Sequence, residues 1–182
     1  FLPVSAAPLP VAASFSILGD LVQNVGGDRI QLITLVGPDQ DAHIFQPTPA
    51  DVQKLAQTRL FFINGLGFEG WLKRLQQASR YNGKVVTVTR GIEPLAMKHN
   101  DHGHAYDPHV WQDPERVKQM VGNIAEALSA ADPAGAAYYR TRAADYRTQI
   151  GSLLVWAQNE IASVRCRQND AVEEQLRFFG GI

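Results

Sequence analysis

Histidine is scarce in this chain and unevenly placed. Of five histidines in 182 residues, His99, His102, His104 and His109 all fall in KHNDHGHAYDPHVWQDP, from Lys98 to Pro114. The fifth, His43, ends the loop Pro38-Asp39-Gln40-Asp41-Ala42-His43. Neutral imidazole suits zinc, copper, nickel and iron, and structural zinc takes four tetrahedral donors. The chemistry these residues could do is therefore metal binding. His109 lies in Asp107-Pro108-His109-Val110-Trp111, a stiff approach to a capped helix, and His43 also precedes a capped helix. Each is held by local structure, as a ligand must be, and a histidine satisfied by backbone hydrogen bonds is the alternative for either one. The wide gap between them means that the fold has to bring them together.

His99, His102 and His104 are a different case. They interleave with Asn100, Asp101 and Gly103 and show no apolar periodicity, so they belong to a solvated loop. Such a loop reads equally as a collector of metal and as a polar surface loop that is rich in histidine.

Competing chemistries have less behind them. There is no Gly-x-Ser-x-Gly elbow and no phosphate loop ending in Lys-Ser/Thr. Asn64-Gly65-Leu66-Gly67-Phe68-Glu69-Gly70 has the Gly-x-Gly-x-x-Gly spacing, with glycines at 65, 67 and 70. It follows the third strand rather than the first, and Glu69 would set a negative charge beside the pyrophosphate. A glycine-bearing turn that lets a loop approach another backbone explains it better. Asp39 and Asp41 read as turn formers.

The elements that must position the histidines alternate between strand and helix. Apolar runs at Val11–Ser16, Ile30–Val36, Leu60–Ile63 and Lys84–Val88 predict strands. Helices are predicted from Ile17 to Gly26-Gly27, from Thr48-Pro49-Ala50-Asp51 with Thr48 as N-cap, and over Gly70–Ser79. This alternation implies a parallel sheet flanked by helices, an α/β fold whose ligands gather outside the carboxyl ends of the strands. Asp113-Pro114 and Asp132-Pro133 open two further helices. The second carries an apolar face at Tyr139, Ala143, Tyr146, Ile150, Leu153, Ala157, Ile161 and Val164, in steps of three and four.

Bulk properties narrow the classes further. The chain is 45% hydrophobic, enough to build a core, and no apolar run reaches the roughly 18 residues of a membrane helix. Seventeen basic residues against eighteen acidic ones give a net charge of −1, which argues against nucleic acid as a partner. One cysteine, Cys166, excludes an internal disulfide and a multi-cysteine zinc site. Val4-Ser5-Ala6 has the small-x-small look of a signal-peptidase site, so residues 1–9 read as a signal remnant or a flexible N-terminus.

Several motifs together carry a family resemblance. They are Ala13-Ser14-Phe15-Ser16-Ile17-Leu18-Gly19-Asp20, Gly37-Pro38-Asp39 through His43, Gln46-Pro47-Thr48-Pro49-Ala50-Asp51, Asn64 through Leu72, and Asp107 through Pro114. Over residues 10–164 the chain resembles the periplasmic zinc- and manganese-binding proteins of bacterial ABC metal importers. The resemblance implies a two-lobed protein joined by a long helix, with the metal between the lobes. His43 and His109 match the two ligands of the first lobe, and Lys98–His104 matches in place the histidine-rich loop of the zinc-specific branch. On this footing residues 10–131 form the first α/β lobe and 132–164 the connecting helix, with an atypical tail over 165–182. Zinc is favoured over manganese because the recognisable ligands are nitrogen and the loop is histidine-rich, whereas manganese prefers oxygen. The implied partners are a zinc ion and the permease of an ABC importer, in the periplasm after export by a signal peptide.

The tail departs from the family pattern. Arg165–Ile182 holds no histidine and does not read as the strand that opens a second lobe. A truncated or frame-shifted product is the expectation, with a natural one-lobe variant as the alternative. The remaining coordination positions would fall to water, His102 or His104, Asp107, Cys166 or a second copy of the chain. Self-association through the exposed connecting helix is expected. A metal-dependent hydrolase using the same histidines with Asp107, and a periplasmic zinc buffer or chaperone, are the alternative functions.

Overall fold

The computed structural model describes residues 7–96 and 106–179. His99, His102, His104 and the Val4-Ser5-Ala6 stretch lie outside the described residues, as does the side chain of Cys166.

Four parallel strands form the sheet in the order β2-β1-β3-β4: β1 is Leu9–Phe15, β2 Ile30–Val36, β3 Leu60–Ile63 and β4 Lys84–Thr87. The central strands β1 (LPVAASF) and β3 (LFFI) are almost wholly buried, because helices cover both faces of a parallel sheet. Helix α1 (Ser16–Gly26) carries the chain from β1 to β2. Helices α2 (Pro49–Ala56) and α3 (Leu72–Ser79) carry it from β2 to β3 and from β3 to β4. The chain moves one way from β1 to β2 and the other way thereafter. Right-handed crossovers therefore put α1 on one face and α2 and α3 on the other. The reversal makes a crevice between the ends of β1 and β3.

Local chemistry sets the helix starts. Thr48 Oγ1 accepts from the Asp51 N–H at 3.3 Å, and Asp51 Oδ2 accepts from the Thr48 N–H at 2.9 Å, the reciprocal capping box read from the sequence. Helix α4 (Pro114–Ala131) begins under Asp113, whose Oδ1 accepts from the Glu115 N–H at 2.9 Å. The third helix starts at Leu72 rather than Gly70, since residues 65–70 are spent on a tight turn. An antiparallel pair that periodicity did not signal, β5 (Leu95–Ala96) with β6 (Tyr106–Asp107), brackets residues 97–105.

Helix α5 runs from Ala136 to Phe179, 44 residues, or about 66 Å at roughly 1.5 Å per residue. Its predicted apolar face is buried at Tyr139, Ala143 and Ile150 against α1 and α4. The same face then leaves the body: Leu153 is 57% and Ile161 58% exposed, and Trp156 beside them is 59% exposed.

Asp132 ties this helix to the lobe. Its Oδ2 accepts from Arg29 Nη2 at 2.7 Å, Arg29 Nε at 2.9 Å and Tyr139 Oη at 2.8 Å, and its Oδ1 accepts from the Gly135 N–H at 3.2 Å. Burial resists ionisation of this carboxyl, but the bonds from Arg29 and Tyr139 outweigh it and hold the group below the ordinary range. Burial and the Asp132 carboxylate push the Tyr139 hydroxyl up to about 12. We expect Asp132→Ala to lower unfolding stability by about 2–3 kcal/mol, from a lost cap and a half-buried ion pair. A depressed carboxyl stabilises the fold above its unfolded value of about 3.9 and loses that contribution as pH falls further. The gap in melting temperature between wild type and Asp132→Asn should therefore be full at neutral pH and close below about pH 4, as thermal scans across pH would report.

Candidate metal centre

The two histidines among the described residues meet at the carboxyl ends of the strands. His43 follows β2 and His109 follows β6, and their Nε2 atoms lie 3.4 Å apart. Two imidazoles on one tetrahedral zinc, each at about 2.0–2.1 Å, place their nitrogens about 3.3–3.4 Å apart. The observed separation fits two donors to one ion.

Each histidine is aimed by its own loop. Asp107 Oδ1 accepts from the His109 backbone N–H at 2.9 Å and lies 2.7 Å from its Nδ1. That contact assigns the proton to Nδ1 and leaves the Nε2 lone pair for a cation. The His109 backbone N–H, followed by its ring, holds the Asp107 carboxyl below the ordinary range. Asp41 Oδ1 accepts from the His43 N–H at 2.8 Å, so this aspartate is the turn former that the sequence suggested. Asp107 is engaged on the Nδ1 side of the ring, away from the point where the two Nε2 atoms converge. The hydrolase alternative thereby loses the third ligand it assumed. Among the described residues no group of three or more His, Cys, Asp or Glu side chains could hold a metal. The described part of the site is a histidine pair.

Beneath the pair lies an aromatic floor. Phe68, almost fully buried, meets His43 edge-on at 4.7 Å between ring centroids and His109 at 6.2 Å. Trp111 packs on His109 at 5.2 Å, and Phe15, at the end of β1, packs on both Phe68 and Trp111. Low-polarity walls of this kind strengthen whatever electrostatic contact the nitrogens make.

Polar ties then fix the loops to the sheet. The buried Trp71 Nε1 donates to the Ala42 carbonyl at 2.8 Å, beside His43. Asn64 Nδ2 donates to the Pro108 carbonyl at 2.9 Å, beside His109. Thr89 Oγ1 donates to the Asn64 carbonyl at 2.6 Å. Glu69 Oε1 accepts from Ser14 Oγ at 2.8 Å and from the Asn64 N–H at 2.7 Å, and Oε2 accepts from the Gly65 N–H at 3.0 Å. Burial pushes the Glu69 carboxyl above the ordinary range, against the downward pull of those donors.

Sequence reasoning nominated the histidines and missed these supports. Phe15, Asn64, Phe68, Glu69 and Trp111 all stood in the motifs quoted for the resemblance, so the signal was their company. Nothing in their own spacing marked them.

The family model described as the periplasmic zinc-uptake complex component A, ZnuA, matches residues 11–175. The manganese-binding lipoprotein MntA of Halalkalibacterium halodurans is 33% identical over 174 residues, which cover 94% of this chain and 57% of that protein. The iron-binding protein YfeA of Yersinia pestis is 28% identical over 174 residues, covering 96% and 56%. Among solved structures, the manganese-bound periplasmic metal-binding protein from Candidatus Liberibacter asiaticus superposes with a TM-score of 0.77 at 32% identity. That match covers 84% of this chain and 57% of the other. The chain thus spans little more than half the length of these relatives.

The Asp107 contact makes a prediction that needs no metal. In nitrogen-15 spectra the His109 ring should show the Nδ1-protonated tautomer, and Asp107→Asn should shift it toward a mixture. An unchanged tautomer in the variant would mean that Asp107 does not set the ring.

Proposed function

The chain belongs to the family of the periplasmic zinc-uptake complex component A, and from that premise we propose that it captures a divalent transition metal ion through His43 and His109 for delivery to an ABC importer. The observation that carries this reading is the 3.4 Å between the two Nε2 atoms, one of them on a ring anchored from behind by Asp107. In this reading residues 10–131 are the first lobe and residues 132–164 a connecting helix, and ligands beyond the pair come from outside the described residues. No bond is made or broken. The protein strips water from the ion, holds it and releases it to a permease.

Zinc is the metal we propose. Two nitrogen donors suit it better than manganese, which favours oxygen, and the family description names zinc uptake. The manganese and iron named for the relatives make those ions the controls. The exposed Leu153, Trp156 and Ile161 on α5 support self-association, since an apolar face of this kind rarely stays in water. Sedimentation at high concentration reads it, and a clean monomer overturns it.

A competitive titration with a chromophoric zinc chelator tests the central claim. We expect one zinc per chain. Replacing either histidine, as His43→Ala or His109→Ala, should weaken binding by more than the roughly 10- to 100-fold that outer contacts are worth. Zinc affinity indifferent to both substitutions would rule out the pair as ligands. Manganese in place of zinc should bind more weakly, and a reversed order would reassign the metal.

A further inference from the structure

The turn after β3 is closed by a carboxyl group of its own. Gly65, Leu66 and Gly67 have φ of +85°, +56° and +83°, three successive residues in the left-handed region. Glycine reaches that region freely, but leucine does so only under constraint. Consecutive turns of this kind point main-chain N–H groups inward and make a seat for an anion. Here the seat is filled from within the turn. The Glu69 carboxylate takes the N–H groups of Asn64 and Gly65, and it reaches across to the Ser14 hydroxyl on β1. Glu69 is 7% exposed and Ser14 fully buried, so these bonds are shielded from water.

The two ends of this clamped turn are contacts of the metal pair. At one end Asn64 sends its side chain to the Pro108 carbonyl, next to His109. At the other end Phe68 lies against both imidazoles. Ser14 precedes Phe15, which supports Phe68 and Trp111 from below. One carboxylate therefore joins the ends of β1 and β3 to the floor beneath both histidines.

We propose that Glu69 is a positioning residue of the metal centre, clamping the turn after β3 so that Asn64 and Phe68 hold His43 and His109 at the separation of two ligands to one ion. The proposal rests on the reading of that pair as ligands. Glu69 acts through its neighbours, and the test has to separate this from a carboxylate that merely stabilises the core.

Glu69→Gln keeps the shape but replaces one acceptor oxygen with an NH2, which sets donor against donor at the turn. The first measurement needs no metal. On the metal-free chain with labelled histidine and phenylalanine, and with methyl-labelled valine, leucine and methionine, ring cross-peaks should join Phe68 to His43 and His109 in wild type. They should weaken or vanish in Glu69→Gln, while signals from Val11, Leu55 and Met120 in the core persist. The second measurement is zinc affinity, which should fall by about tenfold or more in the variant. A variant that melts earlier but keeps its ring cross-peaks and zinc affinity would overturn the proposal and leave Glu69 a core carboxylate. If Glu69→Gln does not fold, Ser14→Ala removes one donor and should give the same changes at smaller size; none would count against the clamp. A wild-type chain that binds no zinc would sink the ligand reading alone, and the cross-peaks would still decide the role of Glu69.

Discussion

Two imidazole nitrogens facing each other at 3.4 Å must share either a proton or a cation. With the His109 proton drawn to Nδ1 by Asp107, its Nε2 presents a lone pair. A second lone pair at that distance is repulsive unless a proton or a cation lies between. Much of the local structure answers that demand: a carboxylate behind one ring, a turn behind the other, and an aromatic floor that denies both a retreat into the interior. If the pair holds an ion as proposed, contacts already made within the fold would lower the ordering cost of binding.

The sheet explains why the pair forms where it does. The strand order reverses at β1, which opens a crevice beyond the ends of β1 and β3. Phe15 closes β1 and Asn64 follows β3, so the floor and the tie to Pro108 both grow from that crevice. The loops that carry the histidines arrive from elsewhere, after β2 and after the short β5–β6 pair, and are tied down at its rim. A rigid α/β scaffold with binding groups on its loops is a common division of labour. Here the ties from Trp71, Asn64 and Thr89 are hydrogen bonds from side chains to main-chain carbonyls, which fix the backbone as well as the ring above it.

Glu69 shows how one residue can mislead at one level and explain at the next. In a Gly-x-Gly-x-x-Gly run it counts against a bound phosphate, and that judgement holds for a physical reason: the turn does make an anion seat, and the chain's own carboxylate occupies it. The spacing of the glycines carried true information about backbone shape. Only the position of the Glu69 side chain told which anion that shape serves.

Local signals were enough for the sequence to determine the alternating strands and helices and the Thr48 and Asp113 caps, while the pairing of His43 with His109 came from the family resemblance. Periodicity, capping and turn chemistry act over a few residues and are legible in one dimension. The third helix was read two residues early, because the turn at 65–70 depends on a carboxylate bonding to a strand 55 residues away. The same holds for the aromatic floor, the Asn64 tie to Pro108 and the orientation of Asp107 behind His109 rather than beside it. Contacts between residues far apart in the chain depend on the packing of the whole lobe, so only the tertiary structure could decide them.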